Sequence, residues 1–315
     1  MKQNNNPTPV IVTAGSTYLD VDAYACAVAL AELLELQGVR AYACSTAPTN
    51  YSVTPALAKD SPILRTLPDG LSEATARYII VDVSDPEYVK DSVPLDRVTE
   101  VFDHHVGFES YWQERIGESA RIEFIGAAAT LIFREWRTYG MEGRMSPATA
   151  KLLIAAILDN TLNLTSSNTT EEDRETFTAL CRLAGVTPDW CAAYFTEVQN
   201  AVEQDLPHAL LGDLKTLRNT EALPPRIAQL CVWDADRIIR RLPEIRTLLE
   251  GDGSWLLNVI DLRENCSRFI CDDPLYQGKL ETVFSVTFEA GVARSPVSYL
   301  RKQIIKKACF SDPRP

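Results

Sequence analysis

Over the first 190 residues, short apolar runs rich in β-branched residues alternate with longer segments of helical period. The runs are PVIVTAG (9–15), VRAYACS (39–45), ARYIIVDVS (76–84), VTEVFDHH (98–105) and RIEFIG (121–126). Between them, VDAYACAVALAELLELQG (21–38) and GAAATLIFREWRTYG (126–140) read as helices closed by Gly38 and Gly140. PATAKLLIAAILDN (147–160) reads as a third, with Ser146 as its cap and Pro147 at its first position. This alternation predicts a parallel sheet with crossover helices. Strands apolar on both faces need helices on both sides, so the expected class is α/β with a doubly wound, mainly parallel N-terminal sheet. PDWCAAYFTEVQNAVEQDLPHALLGD (188–213) reads as a helical exit from this region. From Asp213 onward the pattern changes to strands separated by turns: RIAQLCVW (226–233), WLLNVIDL (255–262), RFICDD (268–273) and TVFSVTFEAG (282–291), with one helix over 234–250. A smaller mixed α+β domain is expected there, giving domains at 1–200 and 205–315.

The length, 315 residues, agrees with two cores, because single cores stop growing at roughly 250–300 residues. With 46% hydrophobic and 23% charged residues, the composition is that of an ordinary globular protein. No run of about 18 apolar residues is present, and the opening MKQNNNPTPV lacks the apolar stretch of a signal peptide. A cytoplasmic protein without membrane contact is therefore expected. The eight cysteines include no CxxC pair and are read as buried, reduced thiols. A net charge of −12, from 43 acidic and 31 basic residues, argues against stable nucleic-acid binding through phosphate neutralisation. It leaves room for a compact anion held by a local positive cluster or by bound cations.

The expected sheet gives the acidic residues a location, since ligands of such sheets bind at the carboxyl ends of the strands. Asp20 and Asp22 follow the first strand in GSTYLDVDAYACA (15–27), Asp82 ends the third, and Asp103, His104 and His105 end the fourth. Asp20 and Asp22 could be helix N-terminal acids worth about 0.3–1 kcal/mol each, and Asp82 could be a turn former. Asp103-His104-His105 is harder to treat as structural, because it offers a metal ligand, an orienting carboxylate and a phosphate donor within three residues. The third histidine of the chain, His208, reads as structural.

AGSTYLDVD (14–22), IIVDVSD (79–85), FDHHV (102–106), EFIGAAATL (123–131), AAILDNTLNLTSSNTT (155–170), GDLK (212–215) and LRKQII (300–305) occur in that order. With them the chain resembles the DHH phosphoesterase superfamily over nearly its whole length. The branch is the one with the second type of C-terminal domain, which contains manganese-dependent (family II) inorganic pyrophosphatases, cytosolic exopolyphosphatases and prune-type phosphodiesterases. The resemblance implies two divalent cations, Mn²⁺ in first place and Mg²⁺ or Co²⁺ as alternatives, held by Asp20, Asp22, Asp82, His104 and Asp159. Asp82 would bridge them, Asp103 would orient His104, and His105 would face the substrate phosphate, with Asp103 and His105 the catalytic pair. Lys215, Arg301 and Lys302 would bind phosphate from the smaller domain, which would close over a small phosphate-anhydride substrate. The implied activity is hydrolysis of inorganic pyrophosphate or polyphosphate. Alternatives are a small-nucleotide phosphodiesterase and a catalytically weak, prune-like binding protein, and a homodimer is compatible with the pattern. Two positions depart from it. Gly15-Ser16 stands where family II pyrophosphatases have Gly-His, and the ligand at 159–160 is either Asp159 or Asn160.

Overall fold

The computed structural model describes residues 8–217, 221–251 and 253–310; the opening residues 1–7 and the Cys309 thiol lie outside that description. In chain order the first part contains β1 (Val10–Thr13), α1 (Val21–Leu36), β2 (Ala41–Ala43), α2 (Pro55–Asp60), β3 (Arg77–Val81), α3 (Pro86–Val89), β4 (Val98–Asp103), α4 (Glu109–Ile116), β5 (Ala120–Ile122), α5 (Ala128–Thr138), α6 (Pro147–Asn160) and α7 (Glu171–Ala184). There follow α8 (Pro188–Gln204), α9 (Leu206–Asp213), β6 (Lys215–Thr216), β7 (Arg226–Val232), α10 (Ala235–Ile239), α11 (Leu242–Leu249), β8 (Trp255–Asp261), β9 (Cys266–Ile270), α12 (Pro274–Phe284), β10 (Phe288–Glu289), β11 (Val292–Ser295) and α13 (Arg301–Phe310). Packing divides the chain into Met1–Cys191 and Ala192–Pro315, a division that falls inside α8.

The first unit is a five-stranded parallel sheet in the order β2-β1-β3-β4-β5. Its strand order reverses between β1 and β3, where such sheets open a crevice at their carboxyl ends. Val12 pairs with Ile79 and Thr13 with Ile80, so these two strands end level with one another. On one face Ile11, Tyr78, Ile80 and Val101 pack with Val89, Val93 and Trp112. The alternate positions Val12, Ile79, Val81 and Phe102 are buried as well, as the period of two along a doubly covered strand requires. The contacts of α1 with α6 are close because both helices present small residues, Ala25 and Ala29 from one and Ala155 and Ala156 from the other, all fully buried.

The second unit is a six-stranded mixed sheet in the order β10-β11-β9-β8-β7-β6, parallel only between β7 and β8. Its central strand β8 is buried along its length, and Ile227, Leu256, Phe269, Leu280, Phe284 and Ile304 form its core.

The structure corrects several sequence expectations. TVFSVTFEAG is not one strand: Thr282–Phe284 end α12, Ser285 takes a left-handed conformation that stops the helix, and strand β10 is only Phe288–Glu289. The helix signal was present in the cap Asp273 and the following Pro274, but the β-branched Thr282 and Val283 masked it. The helical exit breaks at Asp205, ahead of Pro207, and the 234–250 helix splits into α10 and α11 ahead of Pro243, since proline favours a helix start over an interior. Strand β5 ends at Ile122, and Glu123 and Phe124 are exposed. Cys181, Cys191 and Cys231 are half-buried, whereas Cys26, Cys44, Cys266 and Cys271 are buried as expected; all seven are free thiols.

Candidate metal centre

The chain leaves β1 through Gly15, whose φ of +89° suits a residue without Cβ. The Thr13 hydroxyl accepts from Gly15 N at 3.0 Å, and the Ser45 hydroxyl donates to the Gly15 carbonyl at 2.7 Å. This fixed turn delivers Asp20 to the start of α1. There Oδ1 caps the helix by accepting from Asp22 N and Ala23 N at 3.1 and 3.0 Å, so the helix-cap expectation is correct for one of its oxygens. Asp22, two residues further on in the first turn, is fully buried. Its oxygens accept from Ala128 N (2.8 Å) and Ala129 N (2.9 Å) at the N-terminus of α5 and from the Asn160 amide (2.9 Å). A helix N-terminus stabilises a carboxylate in this way.

That helix start is placed by Gly126, whose N–H donates to Asp173 Oδ2 at 2.9 Å. A Cβ at this position would lie 2.4 Å from the same oxygen and 2.7 Å from Thr161 Cγ2. Asp173 is buried and also accepts from the Thr130 hydroxyl at 2.6 Å and from Thr170 N at 2.7 Å.

At the end of β3, Asp82 adopts a left-handed conformation, φ +58°, a costly state for a residue with a side chain that recurs at functional sites. Its Oδ1 is buried without a hydrogen-bond partner and lies 3.4 Å from His104 Nε2. The other ring nitrogen, His104 Nδ1, is 3.1 Å from the carbonyl of Ile125. A carbonyl only accepts, so Nδ1 carries the proton and, in the neutral ring, Nε2 presents a lone pair to Asp82 and to Asp22 Oδ2 at 4.0 Å. Sequence reasoning assigned the orienting role to Asp103. The structure instead pairs Asp103 with the next residue: Asp103 Oδ1 accepts from His105 N at 3.0 Å and sits 2.9 Å from His105 Nδ1. His105 is 66% exposed, so its Nε2 is open to a ligand, and the Asp103 hydrogen bond raises its pKa above the ordinary histidine value.

Burial, with added repulsion from Asp22 and Asp20, raises the Asp82 carboxyl well above its usual range, and burial raises that of Asp22 against the attraction of His104. Asp159, at the end of α6, is pushed up to about 7 by burial and by Asp20 and Asp22. Thus at 159–160 the structure brings both candidates to the cluster: Asn160 through its amide on Asp22, and Asp159 through its charge.

No family model matches the chain. A manganese-dependent inorganic pyrophosphatase of Exiguobacterium is 25% identical over 306 residues, covering 94% of this chain and 96% of its own. One from Bacillus licheniformis is 26% identical over 303 residues, covering 91% and 93%. Among solved structures, a Methanococcus jannaschii protein described as a family II inorganic pyrophosphatase superposes with a TM-score of 0.61 at 19% identity over 95% of this chain and 98% of that one. These likenesses over nearly the whole chain support a DHH-superfamily assignment.

The donor set of this centre fits hard divalent cations. Carboxylates of Asp20, Asp22, Asp82 and Asp159 repel one another in a buried cluster, the unpartnered Asp82 Oδ1 lacks only a cation or a proton, and His104 Nε2, which offers a lone pair in the neutral ring, completes an oxygen-rich set. Of the phosphate-binding residues that the resemblance implies, Lys215 is exposed on β6 and Lys302 is exposed on α13. Arg301 is partly buried, and its guanidinium donates to the carbonyl and the Oδ2 of Asp213. Asp213 is thereby an anchor for the arginine and for Gln229 N (2.7 Å). A second grouping, Asp261, Glu264 and Cys266, is satisfied internally: Asp261 accepts from Ala235 N and Glu264 N, and Glu264 pairs with Arg268 and Arg294.

Four contributors were missed from sequence: the Ile125 carbonyl, Gly126, Asp173, and Trp112, whose indole N–H donates to the Ser84 carbonyl at 2.7 Å and fixes the loop after Asp82. Asp173 had a readable signal, since Thr170-x-x-Asp173 forms a capping box. A backbone carbonyl has none. Among the described residues no helix is long and apolar enough to cross a membrane.

Proposed function

We propose that the chain is a metal-dependent phosphohydrolase that cleaves the phosphoanhydride bond of inorganic pyrophosphate, as the names of its relatives describe for them, or of inorganic polyphosphate. The observation that carries this reading is His104 Nε2 placed 3.4 Å from the unpartnered Asp82 carboxylate oxygen at a strand end crowded with Asp20, Asp22 and Asp159. In this reading residues 1–200 carry the metal chemistry and residues 205–315 supply phosphate-binding cations, Lys215, Arg301 and Lys302.

Asp20, Asp22, Asp82, His104 and Asp159 would hold two divalent cations, Mn²⁺ first among them. Such cations neutralise phosphoryl oxygens and lower the pKa of the attacking water. Asp103 holds His105 through Nδ1 and favours its protonated form, in which His105 Nε2 can donate to a phosphate oxygen as charge develops on it. The test is phosphate release from pyrophosphate, long-chain polyphosphate and a dinucleotide with Mn²⁺, Mg²⁺ or Co²⁺, alongside elemental analysis of the purified protein. Turnover of an anhydride with bound metal is expected. No turnover with any metal, together with no metal bound, rejects the proposal.

A further inference from the structure

Three arginines gather in one groove of the first unit. Arg137 near the end of α5 and Arg174 and Arg182 on α7 line a depression of about 380 Å³ with Glu171 and Glu175. All five are exposed, and among the described residues none of the three arginines forms an ion pair or donates a side-chain hydrogen bond. Arg134 shows the contrast: its guanidinium donates to both oxygens of Glu172, at 2.8 Å each, and to Glu123 at 2.7 Å. That fork already ties α5 to α7, so Arg137, Arg174 and Arg182 are not needed to join the helices. Arg137 lies over the Phe133 ring, its Cζ 4.8 Å from the centroid, which steadies the guanidinium and leaves its N–H groups to a ligand. Like charges placed close together repel, and a chain of net charge −12 has ample carboxylates to pair with them. Cations left unpaired under those conditions mark a place for an anion.

The groove is distinct from the strand-end centre. Arg137 stands more than two turns beyond Ala128, whose N–H holds Asp22, about 14 Å along α5. On α7, Arg174 and Arg182 lie about 12 Å apart along the axis, a span for more than one phosphate. Guanidinium forks match phosphate oxygens two at a time. Glu171 and Glu175, one turn apart on α7, decide which phosphate species fits. They repel a bare anion, but a phosphate that carries Mg²⁺ offers them the cation, and Mg²⁺ is held by one or two carboxylates together with phosphate oxygens. The remaining lining residues are Thr178 and Ala179, so no ring or large apolar side chain is there to receive an organic group. We propose that this groove is a second binding site, for the magnesium complex of an inorganic di- or oligophosphate, with the phosphates on Arg137, Arg174 and Arg182 and the cation at Glu171 and Glu175.

The ligand class rests on the phosphohydrolase reading; the site itself rests on the unpaired arginines and the two carboxylates beside them. No bond is made or broken in the groove. It holds the same class of molecule that the strand-end centre would hydrolyse, at a separate place on the same unit.

The test is calorimetry on the full chain with methylenediphosphonate, a non-hydrolysable diphosphate, in excess Mg²⁺. Two sites per chain are expected. Arg174→Gln combined with Arg182→Gln should weaken one of them about tenfold or more and leave the other, whereas Asp82→Ala should weaken only the other. In chelator the groove of the wild-type protein should bind the bare probe about fivefold or more weakly than its magnesium complex, a comparison that needs no variant. Glu171→Gln combined with Glu175→Gln should weaken binding of the magnesium complex and strengthen binding of the bare probe, because the repulsion is lost together with the ligands of the cation. Binding that the two arginine substitutions leave untouched, or a groove affinity equal in Mg²⁺ and in chelator, overturns the proposal. Anhydride hydrolysis with only the Asp82-dependent site also overturns it and leaves the phosphohydrolase reading standing. An arginine-dependent site without hydrolysis of any anhydride rejects that reading and retains the groove.

Discussion

Asp82 is the residue on which the most depends. Its left-handed backbone, its buried unpartnered oxygen and its place between His104 and the other carboxylates have no stabilising purpose in the fold. Asp82→Ala should therefore bind divalent cation at least about tenfold more weakly by calorimetry, while unfolding in urea at the same concentration or higher, since it removes repulsion. A metal affinity equal to wild type would remove Asp82 from the centre. The Asp103–His105 pair makes a separate prediction. Asp103 raises the His105 pKa, so Asp103→Asn should lower it, and the decline of rate at high pH should move to lower pH. An unchanged profile would mean that His105 takes no part as an acid. Ser16 bears on metal choice. Among the described residues, His104 and His105 both bring a ring nitrogen close to Asp82, the latter with its Nδ1 hydrogen-bonded to Asp103. A further nitrogen from Ser16→His should tighten Co²⁺ and Zn²⁺, which favour imidazole, more than Mg²⁺, which favours oxygen. Equal gains for all three ions would show that position 16 does not face a cation.

At the level of elements, the sheet and its main helices were legible because their apolar period is long and regular: β1, β3, β4, α1, α5 and α6 all lie within the stretches the pattern marks. So was the placement of acidic residues at strand ends, which follows from parallel strands alone. The short helices α2, α3 and α4 were not legible, having too few turns for a period to show. Partner choice inside the centre was not legible either. The sequence places Asp103 beside both histidines, and only the fold decides that His104 turns to the Ile125 carbonyl and His105 to Asp103. The element with most leverage is α5, whose first N–H groups hold Asp22. Gly126→Ala would drive a Cβ into Asp173 and Thr161 and should cost about 1–3 kcal/mol, as overpacked sites do. Because the displaced segment carries the Asp22 donors, Mn²⁺ affinity should fall with stability. Lost stability with unchanged affinity would separate α5 from the centre.

For the whole molecule, the buried carboxyls tie stability to pH and metal in a direction that can be derived. Asp159 is pushed up to about 7 from an unfolded value near 3.8, and Asp22 and Asp82 are raised also. Between those limits the folded chain binds more protons than the unfolded one, so stability falls as pH rises. The raised His105 acts with the same sign, because a histidine with a raised folded pKa contributes stability that is lost as pH rises through that value. Asp159 alone should then make the metal-free protein about 2 kcal/mol less stable at about pH 7.5 than at about pH 5.5. Cations reverse this, since they bind the deprotonated ligands and displace the protons that burial favours. Added Mn²⁺ should accordingly raise Tm far more at the higher pH than at the lower, with stabilisation growing with the logarithm of free metal above its Kd. Thermal unfolding with chelator and with Mn²⁺, at both pH values, measures both slopes. A metal-free protein that gains stability with rising pH over this range would mean that the carboxyls are already ionised and compensated, and the two-cation reading would lose its physical motive.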